Sequence, residues 1–128
     1  MPGVESVLFI DDEPVLQDVL KALLEGNGFD YYPATTAADG MRVLREEEVD
    51  VVLLDLMLPD GNGLEMLPDI KAHDPHLPVI MITAYSSLES AIEAMREGAF
   101  HYVPKPFKYE EVLHLVRRAS ERRRLQVE

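Results

Sequence analysis

Polar residues that a packed core does not require follow four apolar segments of this sequence. They are an aspartate pair, a single aspartate, a threonine and a lysine: Asp11 and Asp12, Asp55, Thr83, and Lys105. Several carboxylates packed together repel one another, and at neutral pH they stay ionised only if a cation is held among them. Oxygen ligands without cysteine favour a hard ion, so we expect a Mg²⁺ site.

These residue types form a workable set for moving a phosphoryl group onto an aspartate. Asp55 supplies a carboxylate nucleophile, while Thr83, Lys105 and the metal ion neutralise the equatorial oxygens of the phosphoryl group. The predicted product is an acyl phosphate on Asp55.

Each residue of this set also has a purely structural explanation. Asp12 could cap a helix, Asp55 or Thr83 could begin a turn, and Lys105 could be a solvated side chain. Asp55, however, follows the uninterrupted apolar run from Val51 to Leu54, which is typical of a strand buried on both faces. Ligands of open α/β sheets bind at the carboxyl ends of such strands. Four coincidences at one edge are much less probable than one, which favours the chemical interpretation.

Apolar segments and helical periodicities alternate along the chain. The predicted strands are Ser6–Ile10, Phe29–Ala34, Val51–Leu54, Pro78–Ile82 and Phe100–Pro104. The predicted helices run from Val15 to Leu24, from a Thr36 cap to the acidic run at Glu46, from Leu64 to near His73, from Ser87 to Glu97, and from Tyr109 to about Leu125. This alternation predicts an α/β fold with a doubly wound, five-stranded parallel sheet.

Two prolines give more local expectations. Pro33 indicates that the second strand lies at a sheet edge, because proline cannot donate to a strand ladder. Pro68 lies within the third helix, and we expect it to kink or shorten that helix.

Composition limits the classes of function. The 128 residues, 47% of them hydrophobic, suit one compact domain, and the absence of cysteine excludes disulfides and thiolate metal sites. A formal net charge of -12 opposes direct binding of nucleic acids or anionic membranes. With no long apolar segment and no basic leader at its start, the chain is predicted to be cytoplasmic.

The motifs, taken together, resemble those of response regulator receiver domains of two-component systems. They are the acidic pair Asp11-Asp12, the stretch Asp55 to Pro59 with Gly63 beyond it, Thr83-Ala84, Tyr102, and Lys105-Pro106-Phe107. The resemblance implies a flavodoxin-like (βα)5 fold with strand order 2-1-3-4-5. It also implies that Asp55 accepts its phosphoryl group from a sensor histidine kinase.

The resemblance implies specific roles for the metal site. Asp12, Asp55 and the backbone carbonyl of Met57 would bind Mg²⁺, and Asp11 would support the ion through water.

A second group of roles concerns the switch. Thr83 would reorient its hydroxyl towards the phosphoryl group, Lys105 would contact that group, and Tyr102 would turn inward as Thr83 moves. The peptide bond between Lys105 and Pro106 is cis in domains of this kind.

Within the family, the residues around Ile82 to Ala91 and Gly98 to Phe100 look most like the nitrogen-regulatory class. Its members usually join the receiver to an ATPase that activates sigma-54 polymerase and then to a DNA-binding module. No phosphate-binding loop and no helix-turn-helix is present, so the output is expected beyond Glu128 or on a separate effector. Residues 1–120 would form the receiver domain, and 121–128 the end of the last helix and the start of a linker.

We therefore expect phosphorylation to change homodimerisation or output contacts through the face of the fourth helix, fifth strand and fifth helix. Beyond autocatalysed phosphotransfer and slow self-dephosphorylation, no enzymatic activity is expected. The alternative is a receiver-like dimerisation or docking module that is not phosphorylated. An aspartate-nucleophile phosphohydrolase is disfavoured because Met57 replaces a second aspartate. A flavodoxin-like electron carrier is disfavoured because Asp11 and Asp12 would repel its cofactor phosphate.

Overall fold

The computed structural model of the protein describes residues 5–127. Its strands are β1 (Ser6–Ile10), β2 (Asp30–Ala34), β3 (Val51–Leu54), β4 (Met57–Leu58), β5 (Gly61–Asn62), β6 (Val79–Thr83) and β7 (His101–Pro104). The helices are α1 (Pro14–Glu25), α2 (Ala37–Glu46), α3 (Gly63–His73), α4 (Leu88–Arg96) and α5 (Tyr109–Val127).

Five of the strands form one parallel sheet in the order β2-β1-β3-β6-β7. Counting only these five strands along the chain, this is the order 2-1-3-4-5, so the predicted fold class is confirmed. The strand β2, which carries Pro33, lies at one edge, as the proline predicts. The short strands β4 and β5, which the sequence does not predict, pair as an antiparallel hairpin between β3 and α3.

Alternate residues of the central strands pack into two separate cores. On one face Leu8 and Ile10 of β1 join α2, α3 and Ala94 of α4. On the other face Val7 and Phe9 pack with α1 and α5. Side chains buried on both faces explain why β1 and β3 read as continuous apolar runs, and full burial of each contributes roughly 1.5–3 kcal/mol.

A proline and a cap set the starts of α1 and α2, and a second proline lies within α3. Pro14 occupies the first turn of α1, where its missing N–H is not needed. The Thr36 side chain accepts a hydrogen bond from the Asp39 N–H, which caps α2 as expected. The helix α3 continues through Pro68 to His73, so of the kink or shortening expected at this proline, shortening does not occur. Five helical residues precede Pro68, and the packing of Leu67 and Ile70 in the core favours continuation beyond it.

The helix α4 is held to the domain more lightly than its neighbours. Ala94 is its one buried residue, whereas Leu88, Ile92 and Met95 are 77%, 48% and 49% exposed. The helix α4 therefore has sparse inward packing. Of the helices described here, none has both the length and the apolar character needed to cross a membrane.

Candidate functional site

Strand register brings the three predicted aspartates to one edge of the sheet. Asp11 follows β1 and its N–H donates to the Ala34 carbonyl at 2.9 Å, while the Asp55 N–H after β3 donates to the Ile10 carbonyl at 3.0 Å. One carboxylate oxygen from each of Asp11, Asp12 and Asp55 lies within 4.8 Å of the others. Asp11 and Asp55 are buried, and Asp12 is exposed.

Lys105 bridges the buried aspartates from the loop after β7. Its Nζ lies 2.8 Å from Asp11 Oδ2 and 3.2 Å from Asp55 Oδ2. A third contact of 2.7 Å joins Nζ to Glu13 Oε1. The Lys105 N–H donates to the Thr83 carbonyl at 2.8 Å, which holds the lysine loop against the end of β6. The peptide bond between Lys105 and Pro106 is cis.

Burial and charge oppose each other in this cluster. Burial raises the pKa of Asp11 to about 6, although the Lys105 ammonium and the Glu13 N–H favour the ionised carboxylate. Burial alone would lower the pKa of Lys105, but its hydrogen bonds to Asp11 and Glu13 raise that pKa above the ordinary value. Lys105 is therefore a permanent cation at neutral pH, and Asp11 is ionised at an energetic cost.

The donor set fits a hard divalent cation. Three carboxylates that converge within 4.8 Å place more negative charge than the one ammonium of Lys105 balances. Carboxylate and carbonyl oxygens are the ligands that Mg²⁺ accepts. The family resemblance predicts that the backbone carbonyl of Met57 is a further metal ligand. The Met57 N–H donates to Asp55 Oδ1 at 3.3 Å, so the backbone of Met57 lies beside the carboxylates.

The two predicted switch residues lie on adjacent strands. Thr83 ends β6 fully buried, and its Oγ1 accepts a hydrogen bond from the Tyr85 N–H at 3.0 Å. Tyr102 pairs with Met81 across β6 and β7. The Tyr102 hydroxyl lies 2.7 Å from Ser90 Oγ, and Ser90 also completes the capping box at the start of α4. Tyr102 thus contacts α4 directly.

The family model described as the response regulator receiver domain matches residues 7–117, the segment that carries all of these groups. The chain belongs to the response regulator receiver family.

Proteins similar to this receiver domain include the DNA-binding transcriptional regulator NtrC and the regulatory protein AtoC. NtrC from Proteus hauseri is 40% identical over 114 residues, which cover 89% of this chain and 24% of NtrC. AtoC from Escherichia coli is 34% identical over 119 residues, covering 93% of this chain and 26% of AtoC. The similarity to the nitrogen-regulatory class is therefore confirmed, and this chain spans about a quarter of the length of these curated relatives.

Solved receiver structures share the fold closely. A CheY-like receiver domain from Methanospirillum hungatei superposes with a TM-score of 0.93 at 28% identity, covering 97% of this chain and 99% of that chain. The beryllofluoride-activated NtrC4 receiver domain, solved as a dimer, superposes with a TM-score of 0.88 at 33% identity, covering 92% of this chain and 98% of that chain.

Two residues of the receiver site were not predicted from the sequence. One is Glu13, which shares Lys105 with the buried aspartates. The other is Gln17, a buried residue of α1 whose Nε2 lies 3.1, 2.9 and 3.2 Å from the carbonyl oxygens of Phe9, Asp11 and Ala34. The spacing of Gln17 from the buried Leu20 and Leu24 offers a signal, because it places a polar side chain on the apolar face of α1.

The segment after Asp55 is tied to α2. Both carboxylate oxygens of Asp60 accept hydrogen bonds at the start of this helix, from the N–H groups of Ala37 at 2.7 Å and Ala38 at 3.0 Å. At the end of the segment, a Cβ atom on Gly63 would lie 2.2 Å from the Asp55 carbonyl oxygen, so only glycine fits there. The hairpin after Asp55 is therefore fixed at its turn by Asp60 and at its end by Gly63.

Proposed function

We propose that this receiver domain is the phosphoacceptor switch of a two-component system, and that Asp55 receives its phosphoryl group from a sensor histidine kinase. The observation that carries the proposal is the bridge of Lys105 Nζ between Asp11 and Asp55 at the carboxyl edge of the sheet. An ammonium held there is positioned to neutralise a phosphoryl group on Asp55.

In the transfer step a carboxylate oxygen of Asp55 attacks phosphorus in line. The new P–O bond forms as the P–N bond to the donor imidazole breaks, and the leaving nitrogen keeps the electron pair of that bond. Lys105 neutralises one phosphoryl oxygen. Thr83 Oγ1 accepts from the Tyr85 N–H, which leaves its hydroxyl proton to donate to another phosphoryl oxygen.

In this proposal the metal site is formed by Asp12, Asp55 and the carbonyl of Met57, with Asp11 supporting it through water. When bound, Mg²⁺ supplies positive charge that offsets the phosphoryl oxygens. Asp12 would hold the ion directly and Asp11 through water, and Asp55 would keep an oxygen for attack.

Signal output depends on the link between Thr83, Tyr102 and α4. When Thr83 turns towards the phosphoryl group, Tyr102 moves inward and gives up its hydrogen bond to Ser90. The lightly packed face of α4, β7 and α5, which exposes Leu88, Ile92 and Met95, then changes its affinity for a second copy or for an output domain. The NtrC4 receiver domain, solved as a dimer in its activated form, supports homodimerisation.

The wider context belongs to the same proposal. Residues 1–120 form the receiver domain, and residues 121–128 lead into a linker. The output lies beyond Glu128 or on a separate effector, and by similarity to NtrC and AtoC it controls sigma-54-dependent transcription in the cytoplasm.

Intact-mass spectrometry after incubation with acetyl phosphate and magnesium tests the central claim. The wild type should gain the mass of one phosphoryl group and Asp55→Asn should gain none. Asp60→Asn serves as the matched control, because it makes the same chemical change outside the cluster, and it should react like the wild type. If the wild type stays unmodified, the unphosphorylated docking module becomes the better explanation. If Asp55→Asn is modified equally, the phosphoryl group is carried by another residue and the role proposed for Asp55 is wrong.

Analytical ultracentrifugation tests the switch separately. Addition of beryllofluoride and magnesium should increase the dimer fraction of the wild type, and Ile92→Glu should suppress that increase because it places charge on the exposed face of α4. An oligomeric state that is the same with and without beryllofluoride would contradict the dimer switch while leaving phosphorylation intact.

A further inference from the structure

A cavity of about 270 Å³ lies at the edge of the sheet opposite Asp55, beside the amino ends of β6 and β7. Its walls come from α3, from the loops that precede these two strands, and from the last turns of α5. Three cationic side chains line it: Lys71, Arg122 and Arg123.

Two of these cations have no acidic partner within the described part of the chain. Lys71 Nζ donates to the Leu77 carbonyl at 2.7 Å, and the Arg122 guanidinium lies 5.5 Å from the centre of the Phe100 ring. Among residues 5–127, no carboxylate oxygen lies within 4.0 Å of either positive group.

The third cation is paired. Arg123 contacts Asp74 Oδ2 at 2.9 Å and Asp50 Oδ1 at 3.4 Å. These two carboxylates therefore neutralise the charge of Arg123. Among residues 5–127, no carboxylate contacts Lys71 or Arg122 in the same way.

Mutual repulsion among the cations is felt at Lys71. Its pKa is lowered first by burial and then by the positive charges of Arg122 and Arg123, and Asp74 offsets this only in part. Three cationic side chains around one cavity are unusual for a chain whose formal net charge is -12. An anion bound in this space would relieve the repulsion.

We propose that the cavity binds a small phosphate-bearing ligand. Lys71 belongs to α3 and Arg122 to α5, so the cavity wall offers two cations from separate helices. A phosphate has more acceptor oxygens than a single carboxylate group to share between them. The Phe100 ring, Pro75 and Pro78 provide an apolar wall for the rest of the ligand. A ligand bound in the cavity would connect the end of α5 to the loops before β6 and β7. It would therefore be a signal to the domain that does not depend on Asp55.

Amide chemical shifts of the 128-residue chain provide the test. Inorganic phosphate and pyrophosphate are titrated in EDTA, so that magnesium-dependent binding near Asp55 is absent, with sodium chloride at matched ionic strength as reference. The expected result is saturable shifts at Gly98, Ala99 and Phe100 with the phosphates alone. Shifts that do not saturate, or equal shifts with chloride, would overturn the proposal.

Variants assign the site to its cations. Lys71→Gln and Arg122→Gln should each weaken pyrophosphate binding about tenfold, since each removes a charge-assisted hydrogen bond. Arg118→Gln, an exposed change elsewhere on α5, should not alter the affinity. Because Arg122 is exposed, its variant keeps the test valid should the Lys71 variant fail to fold.

Two further arms separate the competing conclusions. Asp55→Asn should bind pyrophosphate like the wild type, so the outcome does not depend on the proposed phosphoacceptor function. Malonate should bind more weakly than phosphate at equal ionic strength. Unchanged affinity in Arg122→Gln refutes the site, and equal binding of malonate refutes the phosphate class.

Discussion

The substitution Asp11→Asn should stabilise the metal-free domain, although it removes a residue of the proposed site. Burial raises the pKa of Asp11 from 3.8 to about 6, so the folded state holds this proton more tightly than the unfolded state does. The stability contributed by Asp11 is therefore fully present below about pH 4 and is lost as the pH rises through about 6. At about pH 8 the loss amounts to at most about 3 kcal/mol.

Asparagine removes this pH-dependent loss and keeps an oxygen for the Glu13 N–H, which donates to Asp11 Oδ1 at 2.8 Å. Lys105 gives up one acceptor but retains Asp55 and Glu13, so we expect a net gain of about 1–3 kcal/mol at about pH 8. At about pH 5 the gain should be roughly half as large.

Urea unfolding followed by circular dichroism in EDTA measures this difference. The midpoint of Asp11→Asn should exceed that of the wild type by roughly 1 M at about pH 8. Asp12→Asn is the matched control, and because Asp12 is exposed its midpoint should change little. A variant that is less stable than the wild type at pH 8, or a difference that does not vary with pH, would refute the reasoning.

Three further predictions concern groups around the site. Asp60→Ala removes both acceptors at the start of α2 and should lower the unfolding free energy by about 1–2 kcal/mol, measured by urea unfolding, with no loss of Asp55 phosphorylation. Gln17→Met removes the side-chain donor from three buried carbonyls, of which only that of Ala34 is known to keep another donor, the Asp11 N–H. It should cost about 2–4 kcal/mol, whereas a cost below about 1 kcal/mol would contradict that bonding. The acyl phosphate should persist for hours rather than seconds, because Met57 and Tyr85 are poor at positioning water. Its loss in seconds, followed by intact mass without a phosphatase, would show otherwise.

The sequence predicts the sheet well because β1, β3 and β6 are buried on both faces and therefore read as unbroken apolar runs. The sequence also shows which polar residues follow these strands. Because parallel strands end at one edge of the sheet, it predicts that these residues lie close together. The hairpin of β4 and β5 was missed because strands of two residues show no periodicity. The continuation of α3 through Pro68 depends on core packing, which local propensity does not contain.

The parts of the site that the sequence does not predict are contacts between distant segments of the chain. Glu13 and Lys105 are 92 positions apart, and no local pattern joins them. Ser90 reads as an ordinary residue of a helix start, and its contact with Tyr102 follows from the way α4 lies against β7. Gln17 was visible as a polar residue on an apolar helix face, but its carbonyl partners depend on the pairing of β1 with β2.

The two sides of the site around Asp55 are held by different numbers of contacts, and this difference sets the direction in which the structure can move. On the side of β1 and β2, Gln17 ties three carbonyl groups together and Asp60 anchors the hairpin to α2. On the side of β6 and β7, Ala94 alone anchors α4 in the core. Strain introduced at Asp55 is therefore resisted more strongly on the side of β1 and β2 than on the side of β6, β7 and α4. We therefore expect a change at Asp55 to displace α4, while β1, β2 and the hairpin keep their positions.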